Sequence, residues 1–261
     1  MSWDHKLFGR HLATRRFGRE FVWHEEIDST NRWLAEYREQ FTMSGGVVAA
    51  DHQTSGRGRY DRIWFDRPGE CLLFSVILKH SSPAEALGLL NLSPAIALAD
   101  SLVKCFEYRA DLSLKWPNDV RINGKKVAGI LGQTLVNGNQ NTTIVGVGIN
   151  VSVPRKAVPT AIENSATSLI VEYGEAPQRE VLLAEILAEW ENLFDLFQQG
   201  QFETIRRRWE AYGPQTGTPM RITEADRQYE GLYSGLGEHG QLRLADSNGA
   251  IQEIFSGEVQ S

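Results

Sequence analysis

The chain has 261 residues, 41% hydrophobic and 23% charged, with 27 basic against 33 acidic residues and a formal net charge of −6. That composition buries one large domain or a large-plus-small pair, and the acidic balance excludes general electrostatic binding of nucleic acid. The N-terminus lacks the apolar stretch of a signal peptide, no stretch approaches membrane-spanning length, and Cys71 and Cys105 fit no metal motif. A soluble cytoplasmic protein with buried, reduced thiols is expected.

Residues 1–20 mix His, Arg and Phe without clear periodicity and read as an arm or short helix. Phe21-Val22-Trp23-His24 reads as a first strand. Asp28-Ser29-Thr30-Asn31 then leads into Trp33, Leu34 and Tyr37 at helical spacing, with Ser29 or Thr30 as N-cap. The amides of such a helix start can also hold polar ligand groups. After the apolar Val47-Val48-Ala49-Ala50 comes Gln53-Thr54-Ser55-Gly56-Arg57-Gly58-Arg59-Tyr60-Asp61-Arg62-Ile63-Trp64. Glycines let backbone approach a ligand, and each guanidinium offers a planar fork to phosphate or carboxylate. The stretch reads as an anion-binding loop; a solvated hairpin tip or an RNA-touching Arg-Gly segment are the alternatives. It is neither a Walker loop nor a G-x-G-x-x-G fingerprint.

A turn at Arg67-Pro68-Gly69-Glu70 precedes a buried strand over residues 72–79. Leu87 and Leu90 begin a helical stretch, and Ser93-Pro94 reads as the N-cap and first residue of a helix reaching Phe106. Leu112 to Trp116 is a strand ending in Pro117-Asn118-Asp119, and residues 118–131 read as a hairpin turning at Asn123-Gly124. Lys115 and Lys126 stand at strand ends, where a lysine can stabilise phosphate charge. Residues 142–151 form a glycine-spaced buried strand, with Asn150 as donor and acceptor. Residues 153–178 read as a loop with one short helix around 163–172. Leu182, Leu183, Ile186, Leu187, Trp190, Leu193, Phe194 and Phe197 make an amphipathic helix, and a second helix covers 201–211. After Tyr212-Gly213-Pro214 the pattern changes to short strands near residues 220–222, 229–233, 241–244 and 251–255, a small β-barrel of about five strands.

The ordered set Asp28-Ser29-Thr30-Asn31, Gln53 to Trp64, Lys115-Trp116-Pro117-Asn118-Asp119, Lys126-Val127-Ala128-Gly129-Ile130-Leu131 and Gly146-Val147-Gly148-Ile149-Asn150 resembles the biotin–protein ligases (biotin–[acetyl-CoA-carboxylase] ligases). The resemblance covers about residues 20–257. It implies an α+β fold: an N-terminal arm at 1–20, a class II aminoacyl-tRNA synthetase-like catalytic domain at 21–213 with a mixed sheet and packed helices, and an SH3-like barrel at 214–261. With about 20 residues before the first strand, the monofunctional form without the N-terminal DNA-binding domain is expected. The implied reaction joins biotin to ATP as biotinyl-5′-AMP, then passes biotin to a lysine of a biotin carboxyl carrier protein, a subunit or domain of acetyl-CoA carboxylase or another biotin-dependent carboxylase. No nucleic acid or membrane partner is implied, and a homodimer is left open.

By the same resemblance, Ser29, Thr30, Asn31 and Gln53 hold the biotin rings, and Arg57, Gly58 and Arg59 bind its carboxylate or acyl phosphate. Lys126 is the central catalytic cation and Lys115 the second, with Arg57 and Arg59 also catalytic. Gly129 lets ligand lie against its strand. Arg59, Arg62, Trp64, Asn118, Asp119 and Asn150 attend ATP, Trp64 stacking near the adenine and Mg²⁺ lying near Asp119. Leu72, Leu73 and Phe74 line the biotin tail. Two departures from the family pattern, Asp61 for a usual glycine and Gln133 for a usual glutamate, bear on loop stiffness and on a charge role. A lipoate–protein ligase of the same fold, and a biotin-binding sensor without transfer activity, are the alternatives.

Overall fold

The computed structural model describes residues 3–81, 86–106, 110–137 and 140–260. Seven strands make the larger sheet: β1 (Phe21–Ile27), β2 (Gly46–Gln53), β3 (Cys71–His80), β4 (Leu112–Lys115), β5 (Asp119–Ile122), β6 (Lys125–Asn137) and β7 (Gln140–Asn150). Their order is β1-β2-β3-β7-β6-β5-β4, with β1 parallel to β2 and the other neighbours antiparallel. The interior strand β3 is apolar on both faces because both are covered. Leu72, Phe74, Val76 and Leu78 enter the main core, while Leu73 and Ile77 face the other way. Ser75 lies between these two on the second face, a hydroxyl in an apolar strand.

Helices α3 (Leu87–Cys105) and α5 (Arg179–Gln198) cover the first face, and α6 (Phe202–Glu210) packs beside them. The short α2 (Thr30–Glu36) lies on the second, where Leu34 meets Val48, Ile77 and Ile144. α3 corrects two expectations. It runs unbroken through Pro94 instead of starting there, because the Ser93 hydroxyl donates to Leu90 O at 2.8 Å. That carbonyl is the one the missing proline N–H would have taken. By length and composition α3 could also cross a membrane, but its apolar residues are buried in the core. The expected buried thiol at its end is likewise corrected: Cys105 is exposed, whereas Cys71 is buried and its thiol is pushed up to about 12 by burial.

The residues ahead of β1 pack onto α5. α1 (His5–His11) is capped by Asp4, and Phe17 is buried beside Trp190 and Phe194. Glu191 of α5 accepts from the main-chain N–H groups of Arg15, Arg16 and Phe17. The short helix expected near 163–172 is α4 (Leu169–Tyr173), ended by Gly174 at φ 78°.

The last five strands are β8 (Pro219–Glu224), β9 (Arg227–Leu236), β10 (Leu242–Ala245), β11 (Ile251–Ile254) and β12 (Glu258–Val259). They form an antiparallel sheet in the order β11-β10-β9-β8-β12. Its buried residues, among them Ile222, Tyr233, Leu242 and Ile254, are continuous with the main core. The fold is therefore α+β, a mixed sheet with packed helices joined to a small all-β unit.

Candidate active site

The register of the large sheet puts Leu73, Gly148, Gly129 and Asp119 in one row, and Ser75, Gly146 and Leu131 in the next. Where the glycines fall, the sheet has no side chains and leaves a depression. A Cβ at Gly146 would stand 2.4 Å from Asn31 Oδ1, and one at Gly148 would stand 2.6 Å from the Trp64 ring. Groups from outside the sheet thus rest on bare backbone. A cleft of about 240 Å³ opens above this floor.

One wall is the start of α2. Ser29 is its N-cap, its hydroxyl accepting from Arg32 N at 3.4 Å. Thr30 donates to Gln53 Oε1 from both N (2.8 Å) and Oγ1 (3.1 Å). Asn31 Nδ2 donates to Leu131 O at 3.0 Å. Beneath them Ser75 Oγ lies 2.7 Å from Thr30 Oγ1 and 2.6 Å from Asn31 Oδ1. With its oxygen occupied by Thr30, the Gln53 amide keeps its Nε2 donors for a ligand.

The opposite wall carries the lysines. The β5–β6 register slips by one residue, so that Val120 faces Ala128 but Arg121 faces Lys126. Such a bulge re-aims a side chain, and Lys126 comes onto the same face as Gly129, its Nζ 2.6 Å from Asp119 Oδ1. Lys115 is half-buried at the same cleft, and its ammonium is pushed below the usual lysine range by burial first and nearby Arg121 second. Asn118 and Asn150 hold the frame: their Nδ2 groups donate to Ile130 O at 2.8 Å and Thr167 O at 2.9 Å.

The arginine stretch is a hairpin that roofs the cleft. Trp64 N donates to Gly56 O at 3.1 Å and Gly58 N to Arg62 O at 2.7 Å, while Arg57 and Ile63 form an antiparallel bridge. At the tip Tyr60 and Asp61 both have positive φ, 56° and 55°. Arg57 Nη1 donates to Asp61 O at 3.1 Å. The tip reaches the small sheet: Arg59 Nη1 donates to Gly257 O at 2.8 Å, and Arg62 makes a two-pronged pair with Glu258 at 2.7 and 2.6 Å. That pairing lowers the Glu258 carboxyl below its ordinary value and raises Arg62.

Ser29, Thr30, Asn31, Gln53, Arg57, Gly58, Arg59, Arg62, Trp64, Lys115, Asn118, Asp119, Lys126, Gly129 and Asn150 all line this cleft. Several stand differently from expectation. Leu72, Leu73 and Phe74 do not line it; they are 1%, 1% and 0% exposed, and Gly146 and Val147 of β7 stand at the floor in their stead. The space at Gly129 is taken by Trp64 and Lys126. Trp64 lies on the strand floor beside Gly148, with Lys126 Nζ 5.5 Å from its ring centroid. Gln133 is exposed and away from the cleft. Ser75 and Glu258 escaped the sequence reading. A lone hydroxyl in an apolar run was the available signal for Ser75; Glu258 lies 196 residues from its partner and had none.

Residues 23–150 match the biotin/lipoate A/B protein ligase family. A biotin–[acetyl-CoA-carboxylase] ligase of Mycobacterium tuberculosis is 35% identical over 238 residues, 90% of this chain and 86% of its own. The bifunctional ligase/repressor BirA of Bacillus subtilis is 31% identical over 250 residues, 95% of this chain and 76% of its own. Among solved structures, the biotin protein ligase of Aquifex aeolicus in complex with biotin and ATP superposes with a TM-score of 0.78 at 30% identity, covering 93% of this chain and 98% of that one. The chain belongs to the biotin/lipoate A/B protein ligase family, on its biotin–protein ligase branch.

Proposed function

We propose that the protein activates biotin with ATP and transfers it to a lysine of a biotin carboxyl carrier protein. The observation that carries this reading is the convergence of Lys115, Lys126, Arg57 and Arg59 on a cleft floored by backbone. A biotin carboxylate and the triphosphate repel one another, and fixed cations facing both lower that barrier. Attack of a carboxylate oxygen on the α-phosphorus forms the acyl–phosphate bond and expels pyrophosphate. In the second step the carrier's neutral lysine amine attacks the acyl carbon, the C–O bond to AMP breaks, and the amine loses a proton.

In this reading Lys126 leaves Asp119 for the carboxylate and α-phosphate, and Lys115 takes the neighbouring phosphate charge. Gln53, Thr30 and Asn31 meet the biotin rings, and the Arg57–Arg59 hairpin closes over the adenylate, excluding water. Mg²⁺ arrives with ATP. Among the described residues no three acidic, His or Cys side chains gather as a cage; Asp119 and Glu258, the carboxylates of the cleft lining, would hold the ion jointly with phosphate oxygens. Residues 21–213, the larger sheet with its helices, are read as a class II synthetase-like catalytic domain and residues 214–261 as an SH3-like barrel. The unpaired thiols and the use of ATP accord with work in the cytoplasm.

Biotin-dependent ATP–pyrophosphate exchange, with lipoate as competing acid, tests the reading. Exchange with biotin alone supports it; exchange with lipoate alone would reassign the substrate, and binding of biotin without exchange would mark a sensor. Lys126→Ala should lower exchange by about 10²-fold or more, the scale of a lost transition-state electrostatic donor. Near-normal exchange in that variant would remove Lys126 from its role.

A further inference from the structure

The arginine hairpin leaves the sheet at Gln53 and returns at Asp66. At this base β2 has run past its partner, since pairing with β3 stops at Ala50 opposite Leu73. Thr54 N donates toward β1, to Ile27 O at 2.9 Å. Main-chain N–H groups alternate sides along a strand, so the N–H of Gln53 points to the side that β3 has vacated. Asp66 fills the gap: its Oδ2 accepts from Gln53 N at 3.1 Å and its Oδ1 lies 2.6 Å from His52 Nδ1. The Asp66 side chain is only 2% exposed, so the carboxylate is held within the protein at the meeting of the hairpin's two feet. Next to it Phe65 packs against the cluster of Cys71, Leu73 and Val153, which fixes the returning foot.

We propose that Asp66 is a positioning residue for the acid substrate, acting through Gln53, with His52 orienting the carboxylate. One carboxylate sets the direction of the Gln53 backbone, and the two Thr30 bonds set its side chain. Together they aim the Gln53 Nε2 donors at the cleft. Without Asp66 the Gln53 N–H is left unpaired in a half-buried place, while the hairpin keeps its Trp64 N–Gly56 O bond and its Arg57–Ile63 bridge. The lysines on the opposite wall keep their own supports at Asp119 and β4. The consequence is a split: acid binding weakens and nucleotide binding does not. This rests on the ligase reading above.

The test is pyrophosphate exchange with biotin and ATP varied separately, together with biotin Kd by calorimetry, for Asp66→Ala, Asp66→Asn and His52→Phe. Asp66→Ala should raise the KM and Kd for biotin about tenfold, the scale of one lost charge-assisted hydrogen bond, and leave the KM for ATP unchanged. Asp66→Asn should stay close to the parent, because its carboxamide can accept from Gln53 N–H and donate to His52. His52→Phe, which keeps the Gln53 bond, should give a smaller rise in the same direction and carries the test if Asp66→Ala does not fold. Folded Asp66→Ala with parental biotin binding, an equal rise in both KM values, or Asp66→Asn as impaired as Asp66→Ala would overturn the proposal. If the parent protein shows no exchange with biotin, the ligase reading fails, and the calorimetric Kd series still decides the role of Asp66.

Discussion

Gly148 is a residue at which the cleft leaves no room for a single methyl group. A Cβ there would lie 2.6 Å from Trp64 Cε2, against a ring that also approaches the backbone at Gly129 and has Lys126 Nζ 5.5 Å from its centroid. Gly148→Ala should therefore lift the indole from the floor, at an overpacking cost of about 1–3 kcal/mol. A lower Tm together with changed tryptophan fluorescence would register it; an unchanged spectrum would show that the ring is not seated as described. Lys115 illustrates the complementary case. Burial first, then Arg121 and Lys126, disfavour its charge, while Asp119 and Glu258 support it. An arriving phosphate would relieve this imbalance.

At the scale of elements, α5 ties the N-terminal residues to the core through Glu191. Burial opposes ionisation of this carboxylate, but the N–H groups of Arg15, Arg16 and Phe17 outweigh it and hold the carboxyl below its usual value of 4.5. A lowered folded-state value contributes stability that is complete above the unfolded value and lost as pH falls through the folded one. Glu191→Gln should accordingly flatten the acid limb of Tm measured from pH 6 down to about 3; an unaltered limb would place the acid transition elsewhere. The elements themselves were readable wherever local chemistry decides them. The Asn123-Gly124 turn is an example, with positive φ at both residues, and so is the apolar spacing of α5. Reading failed where a distant or compensating group decides. Pro94 looks like a helix start until Ser93 supplies the missing bond. Residues 72–74 looked like a ligand wall, but the site face of β3 is set by register, and the residue that meets α2 there is Ser75. The candidate site was legible as a set of residues because its motifs are charged, amide or glycine-rich. The bulge that turns Lys126 inward has no sequence mark.

For the whole molecule, the question is how the small sheet sits on the large one. The turn at His239 and Gly240 packs so closely on α3 that a Cβ at Gly88 would be 2.4 Å from His239 O, and Trp116 Nε1 donates to Gly240 O at 3.1 Å. With one continuous core, the two units should unfold together. The arginine hairpin joins them at a second place, through Arg59 with Gly257 and Arg62 with Glu258. Arg62 and Glu258 are partly exposed, so their pair contributes no more than about 1 kcal/mol, enough to bias a loop but not the fold. Reversing it tests this. Arg62→Glu and Glu258→Arg should each speed hydrogen exchange in the hairpin, and the double variant should slow it again. Additive single effects in the double variant would mean that the contact does not hold the hairpin.

The backbone floor has one further consequence. Side chains that line a binding site lose rotational freedom when a ligand packs on them, at about 0.5–1.5 kcal/mol for each rotamer-rich group. Glycine has no rotamers to freeze, and the strands carrying Gly129, Gly146 and Gly148 are already fixed by their ladder. The floor itself thus adds no side-chain ordering cost on binding, and that cost falls on the hairpin, the lysines and the other side chains of the walls.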